Sequence, residues 1–154
     1  MTASLPTIVP SRFVASPRSE MLLGADQVLE RISDPSWRLL DARAPERFAG
    51  EVEPLDPVAG HIPGAGNLPF TGNLAADGRF LPAQDLKQRL QAALNAVPAD
   101  RSIMMCGSGV TACHNLLALE VAGLKGARLF PGSWSEWIRD PSRPVASGLN
   151  ARKN

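Results

Sequence analysis

Apolar residues along the chain recur in two alternating rhythms. Between Gly24 and Ile32 they fall at Ala25, Val28, Leu29 and Ile32, the i, i+3, i+4, i+7 spacing of an amphipathic helix. Trp37-Arg38-Leu39-Leu40 is a compact run ending at Asp41 and predicts a short strand. Helical spacing returns from Pro82 to Val97, where Leu86, Leu90, Ala93, Leu94 and Val97 share a side and Lys87, Gln88 and Arg89 lie between them. That pattern predicts a surface helix with one face on a sheet. A second compact run, Ile103-Met104-Met105, leads through Cys106-Gly107-Ser108-Gly109 into a long helix-forming stretch that reaches Glu120. Ala127 to Phe130 predicts a further strand, and Gly60 to Phe70 combines turn residues with another. Strands alternating with helices predict an α/β fold, a parallel sheet with helices on both faces.

The ends and connections read differently. Residues 1–20 contain three prolines, several serines and no sustained periodicity, and are expected to be an irregular lead-in or linker with a short strand at Arg12–Ala15. The domain itself is expected over 21–144, followed by a mobile tail over 145–154. Pro45 suits the first position of a short helix after Asp41. The acidic, proline-bearing stretch Glu51–Pro57 reads as a surface loop. Ser133 followed by Glu136 has the spacing of a helix capping box, and Trp134 and Trp137, one turn apart, read as core or pocket wall.

Candidate chemistry concentrates at Cys106. In an open parallel sheet, the loop after a strand stands at the carboxyl edge, where ligands bind. Glycines at 107 and 109 let the backbone aim its N–H groups inward, and the next helix contributes unpaired N–H groups and its dipole. Gly107, Gly109, Val110 and Thr111 are therefore expected to cradle an anion, with the Cys106 thiolate stabilised as the nucleophile. Cys113, seven residues later, would lie about 10 Å further along a helix and reads as a buried small hydrophobe rather than a disulfide partner. His61 and His114 sit in unrelated segments, so no metal site is indicated.

Cys106-Gly107-Ser108-Gly109-Val110-Thr111-Ala112, together with Gly132-Ser133-Trp134-Ser135-Glu136-Trp137, Asp41-Ala42-Arg43 and Gly60-His61-Ile62-Pro63-Gly64-Ala65, resembles the rhodanese family. The likeness, from about Leu22 to about Pro144, is greatest to the catalytic C-terminal half of two-domain thiosulfate and 3-mercaptopyruvate sulfurtransferases. It implies a rhodanese-like fold and a cofactor-free reaction in which Cys106 carries sulfur as a persulfide. By the same resemblance Ser108 hydrogen-bonds or relays a proton and Arg47 binds the anionic donor. Asp41 and Arg43 are read as a loop-fixing pair and His61 as structural. Thiosulfate-preferring relatives carry basic residues where this chain has Gly107 and Ser108. A neutral loop favours the monoanion 3-mercaptopyruvate, although the second arginine usual in mercaptopyruvate enzymes is replaced by Leu55. Thiosulfate sulfur transfer, and a sulfane-sulfur carrier or binding module working only with a partner, remain the alternatives. Cysteine phosphatases need an arginine six residues after the nucleophile, and Ala112 stands there.

Composition narrows the partners. The 154 residues are 44% hydrophobic and 20% charged with a formal net charge of +1, and no block of like charge stands out. Neither nucleic acid nor a membrane surface is an expected partner. No apolar run approaches the roughly 18 residues of a membrane span. A cytoplasmic protein is expected, and the resemblance implies a small anionic sulfur donor and a thiol acceptor such as glutathione or a thioredoxin-like protein. The resemblance to one half of a tandem enzyme adds a second rhodanese-like domain as a further partner.

Overall fold

The structure, a computed structural model, describes residues 11–148. Strands β1 (Arg38–Asp41), β2 (Gly66–Asn67), β3 (Ser102–Met105) and β4 (Arg128–Leu129) form one parallel sheet in the order β2-β1-β3-β4. The two central strands pair Leu39 with Ile103, Leu40 with Met104 and Asp41 with Met105.

Side chains alternate across a strand, and each core takes its share. Leu40 and Met104 pack with Leu86, Leu90 and Leu94 of α3 (Ala83–Leu94) and with Ala112, Ala118 and Leu119 of α4 (Val110–Val121). Leu39, Ile103 and Met105 pack instead with Val28 of α1 (Ala25–Leu29) and Phe48 of α2 (Pro45–Ala49), and with Trp134 and Trp137 of α5 (Ser133–Trp137). The expected sheet with helices on both faces is therefore present. The chain leaves β1 toward β2 on one side and β3 toward β4 on the other. This reversal between β1 and β3 opens a crevice at their carboxyl ends.

Several local expectations change. Helix α1 ends at Leu29, which is 40% exposed while Ala25 and Val28 are buried, because only those two reach the core. Residues Arg12–Ala15 are exposed and form no strand; the sheet edge at β4 is met instead by Leu22, which bridges Leu129. Of the tail expected to be mobile over 145–154, the described part is tied down: Ala146 pairs antiparallel with His61, and Gly148 N–H donates to Ala49 O at 2.8 Å. Residues 1–10 of the lead-in and 149–154 of the tail lie outside the described residues. Among the described residues, no helix is long and apolar enough to cross a membrane.

Candidate functional site

Cys106 directly follows β3 and is 2% exposed. Its N–H donates to Ser133 Oγ at 3.0 Å and its carbonyl accepts from Trp134 N–H at 3.0 Å. The next carbonyl, of Gly107, accepts from both the N–H and the hydroxyl of Ser135, each at 2.9 Å. Gly109 has φ +85°, and a Cβ there would run into the Pro131 carbonyl, so glycine is required on both counts. None of the amides from Gly107 to Ala112 donates to a main-chain carbonyl among the described residues. These amides at the start of α4 supply the positive potential expected of the loop.

Ser133 departs from the capping reading. It lies inside α5 at φ +51°, and its hydroxyl donates to Phe130 O at 2.9 Å while accepting from Cys106. Glu136 N–H bonds Gly132 O instead. The serine is committed to the cysteine loop and is unavailable to its own helix. The sequence signal that found it, serine three before glutamate, pointed to the wrong partner.

The opposite wall is built by α2 and the chain after it. Pro45 opens this helix and Gly50, at φ +79°, closes it, which leaves Arg47 on the side of the cysteine loop. A Cβ at Gly107 would stand 3.5 Å from both terminal nitrogens of Arg47. Arg47 Nη2 donates to Glu53 at 2.6 Å and lies 3.7 Å from Asp56. Arg43 forks onto Asp41, at 2.9 and 2.7 Å, donates to Gly60 O at 2.7 Å, and meets the other oxygen of Glu53 at 3.3 Å. The expected Asp41–Arg43 pair is thus a buried structural clasp, and Glu53 couples it to Arg47.

Glu53 was not legible as a buried group. Its side chain is 3% exposed, so the acidic stretch is not purely a surface loop. Burial by itself raises this carboxyl's pKa. The hydrogen bonds from Arg47 and from the Leu55 and Asp56 amides, with the Arg47 charge, outweigh it and leave the carboxyl below its ordinary range. The same loop is fastened by Trp134 Nε1, which donates to Val58 O at 2.8 Å while Arg43 lies over the Trp134 ring at 4.9 Å.

Between the walls lies a cavity of about 370 Å³. Cys106, Gly107, Ser108, Val110 and Thr111 line one side; Arg47, Leu55 and Asp56 line the other, with Ser135 beside them. Six of the seven residues picked out from the sequence thus share one cavity. Gly109 does not reach it and shapes the loop against Pro131. Leu55 is 77% exposed at the mouth, where the resemblance implied an arginine. Two guanidinium groups, Arg43 and Arg47, here face three carboxylates, Asp41, Glu53 and Asp56.

Two other expectations resolve outside the cavity. His61 is buried, its ring stacked 3.9 Å from Phe48 and hydrogen-bonded through Nδ1 to Phe48 O at 2.7 Å. Burial holds its pKa below the ordinary imidazole value, against the opposing effects of the Phe48 bond and the Asp41 charge. This is the structural role read from its turn. Cys113, expected buried, is exposed: α4 turns Ala112, Asn115, Ala118 and Leu119 inward and leaves Cys113 toward solvent. Among the described residues no group of three or more His, Cys, Asp or Glu is placed to hold a metal.

Residues 24–140 match the rhodanese-like domain family. A Pseudomonas aeruginosa protein named "Probable 3-mercaptopyruvate sulfurtransferase" is 53% identical over 139 residues, 90% of this chain and 49% of that one. The mitochondrial thiosulfate/3-mercaptopyruvate sulfurtransferase 1 of Arabidopsis thaliana is 34% identical over 144 residues, 92% of this chain and 38% of that one. Among solved structures, the Tum1 protein from Saccharomyces cerevisiae superposes with a TM-score of 0.72 at 26% identity, over 85% of this chain and 47% of that one. The chain spans half or less of the length of these relatives.

Proposed function

The chain belongs to the rhodanese-like domain family, and from that membership we propose that it is a sulfurtransferase in which Cys106 carries sulfur as a persulfide. The observation that carries this reading is the position of Cys106. It lines a cavity at the carboxyl edge of the sheet, with the amides that open α4 on one side and Arg47 on the other. The donor is a small anion, 3-mercaptopyruvate before thiosulfate. Arg47, the one arginine lining the cavity among the described residues, already faces Glu53 and Asp56, and the loop is neutral, so a monoanion meets less repulsion than a dianion.

In the first half-reaction the Cys106 thiolate attacks the sulfur of 3-mercaptopyruvate. The carbon–sulfur bond breaks, its electron pair leaves as the enolate of pyruvate, and the enolate takes a proton relayed through Ser108 from water. Cys106 is left as Cys–S–SH. With thiosulfate, the sulfur–sulfur bond breaks and sulfite leaves. Arg47 orients the donor's anionic end, and the loop amides stabilise negative charge on sulfur. In the second half-reaction the outer sulfur passes to cyanide or a thiol, such as glutathione or a thioredoxin-like protein. We place this chemistry in the cytoplasm, a compartment that keeps thiols such as the free Cys106 and Cys113 reduced. A second rhodanese-like domain is a proposed partner, supported by the fraction of its relatives that this chain spans.

One observation favours a second reading. Leu55 at the cavity mouth leaves Arg47 as the one guanidinium lining the cavity among the described residues, as suits a sulfur carrier loaded by another protein. Intact-mass measurement after incubation with 3-mercaptopyruvate separates the readings. A catalyst gains the mass of one sulfur and turns over when a thiol is added; a carrier gains it only from a persulfidated protein. Cys106→Ser must abolish the gain and Cys113→Ala must preserve it; the reverse pattern sinks both readings.

A further inference from the structure

A second cavity, of about 310 Å³, adjoins the first and shares Asp56 and Ser135 with it. Pro57 and Ile138 give it an apolar floor, and Arg139 completes its wall. The two cavities share the Asp56 carboxylate but not its partner. In the first, Asp56 faces Arg47 beside the loop amides, which suit an anion. In the second, Asp56 and the Arg139 guanidinium line the same space. Asp56 Oδ2 lies 3.7 Å from Arg47 Nη2, and Oδ1 accepts no hydrogen bond among the described residues. Arg139 is exposed, and its side chain makes no ion pair or hydrogen bond among the described residues. A ligand carrying both an ammonium and a carboxylate satisfies Asp56 and Arg139 together. A keto-acid donor has no ammonium and leaves Asp56 unmatched.

We propose that this second cavity is the acceptor subsite and takes a small amino-acid-type thiol, one bearing both an ammonium and a carboxylate group. The proposal rests on the sulfurtransferase reading and names its second substrate. The acceptor's ammonium pairs with Asp56, its carboxylate pairs with Arg139, and its thiolate is directed past Asp56 and Ser135, the residues shared with the cavity that Cys106 lines. That thiolate attacks the outer sulfur of Cys106–S–SH. The sulfur–sulfur bond of the enzyme persulfide breaks, and its electron pair returns to Cys106 Sγ as thiolate. The outer sulfur leaves with its proton as the acceptor's persulfide. No oxidant or reductant is consumed.

The test uses the full chain carrying Cys113→Ala, because exposed Cys113 would react in parallel. Cys106 is loaded with 3-mercaptopyruvate and freed of excess donor. It is then mixed with cysteine, cysteamine, 3-mercaptopropionate or 2-mercaptoethanol at matched thiolate concentrations, and loss of the added sulfur is followed by mass. Cysteine is expected to be fastest. Arg139→Gln should slow cysteine and 3-mercaptopropionate by roughly two- to fivefold, the size of a partly exposed ion pair, and leave the other two unchanged. Asp56→Asn should slow cysteine and cysteamine and speed 3-mercaptopropionate. A parallel arm omits the sulfur donor and follows exchange of unloaded Cys106 with the four corresponding disulfides, where the bound half occupies the same cavity. Charge order in the exchange arm with no sulfur loading keeps the subsite and removes sulfur transfer. Sulfur loading followed by equal effects on all four thiols overturns the subsite and keeps sulfur transfer. Absence of both overturns both.

Discussion

Replacing Glu53 by glutamine tests whether the acidic loop is held by one buried carboxylate. Glu53 Oε1 accepts from Arg47 at 2.6 Å and from the Leu55 and Asp56 amides at 3.1 and 3.3 Å; Oε2 accepts from Arg43 at 3.3 Å. Glutamine retains one carbonyl oxygen for the Arg47 and amide contacts but turns an NH2 group toward the Arg43 guanidinium. Removing one partner of a buried ion pair costs about 3 to 5 kcal/mol when the remaining charge is left alone. Here Arg43 keeps Asp41 and Gly60 O, and Arg47 keeps Asp56, so the loss should be about 2 to 3 kcal/mol, the scale of a hydrogen bond between charged groups. For a domain of this size, that lowers Tm by roughly 4 to 12 °C.

The pH dependence supplies a second, independent readout. Glu53 has a pKa below its ordinary 4.5 in the folded protein. A depressed carboxylate contributes stability above its unfolded value and loses it as pH falls through its folded value. The gap in Tm between wild type and Glu53→Gln should therefore be full at pH 7, narrow below pH 4.5, and close once the wild-type carboxylate is protonated. Thermal unfolding followed by circular dichroism at several pH values measures it. Equal Tm values at pH 7, or a gap that persists unchanged into strong acid, would refute the assignment of Glu53 as the charged anchor.

Other perturbations address the neighbouring groups. Gly107→Arg with Ser108→Lys should shift the ratio of kcat/KM from 3-mercaptopyruvate toward thiosulfate, since a Cβ at Gly107 meets only ordinary contacts beside Arg47 and added cations favour a dianion; an unchanged ratio would remove loop charge as the selector. Arg47→Ala should lower kcat/KM for 3-mercaptopyruvate roughly ten- to hundredfold while Cys106 alkylation by a neutral reagent holds steady, and Leu55→Arg should lower KM; full activity in Arg47→Ala takes that residue out of the site. Ser133→Ala leaves the Cys106 amide unpartnered at the same backbone strain and should cost about 1 to 3 kcal/mol by urea titration, whereas an unaltered midpoint would show that this bond is dispensable.

Residues governed by local rules were readable from sequence, and those fixed by distant partners were not. The strand into Cys106, the glycine turn and the following helix depend on neighbours a few positions away, as does the placement of Pro45 at the start of α2. Glu53 sits among prolines and two other acids, Glu51 and Asp56, a composition that normally marks solvated chain. It is buried because Arg43 and Arg47 both point at it from the preceding helix and turn. Ser133 satisfied a capping pattern while its actual partner, Cys106, lies 27 residues earlier. Cys113 illustrates another loss. The inward stripe of α4 includes Asn115, which is buried because it donates to Leu68 O and accepts from Asn73, so an apolar pattern misplaces the helix face.

Helix α5 joins the two walls of the cavity, although it contributes no charged group to the cavity beside Cys106. Ser133, Trp134 and Ser135 take hold of the Cys106 and Gly107 main chain from one side of its first turn. The indole of Trp134 reaches the other way, to Val58 O in the acidic loop, and supports the Arg43 guanidinium that clasps Glu53. The Cys106 loop and Arg47 are therefore positioned by one buried turn, in which Ser133 and Trp134 act from outside the cavity lining and Ser135 from within it. Arg47 takes its direction from Glu53 and Asp56, which hold it beside the Cys106 loop. Under the proposed sulfurtransferase reading, an arginine held in this way has the task of orienting an anionic donor more than of attracting one. That is the weaker requirement, suited to a donor whose bond is broken at Cys106 beside the loop amides.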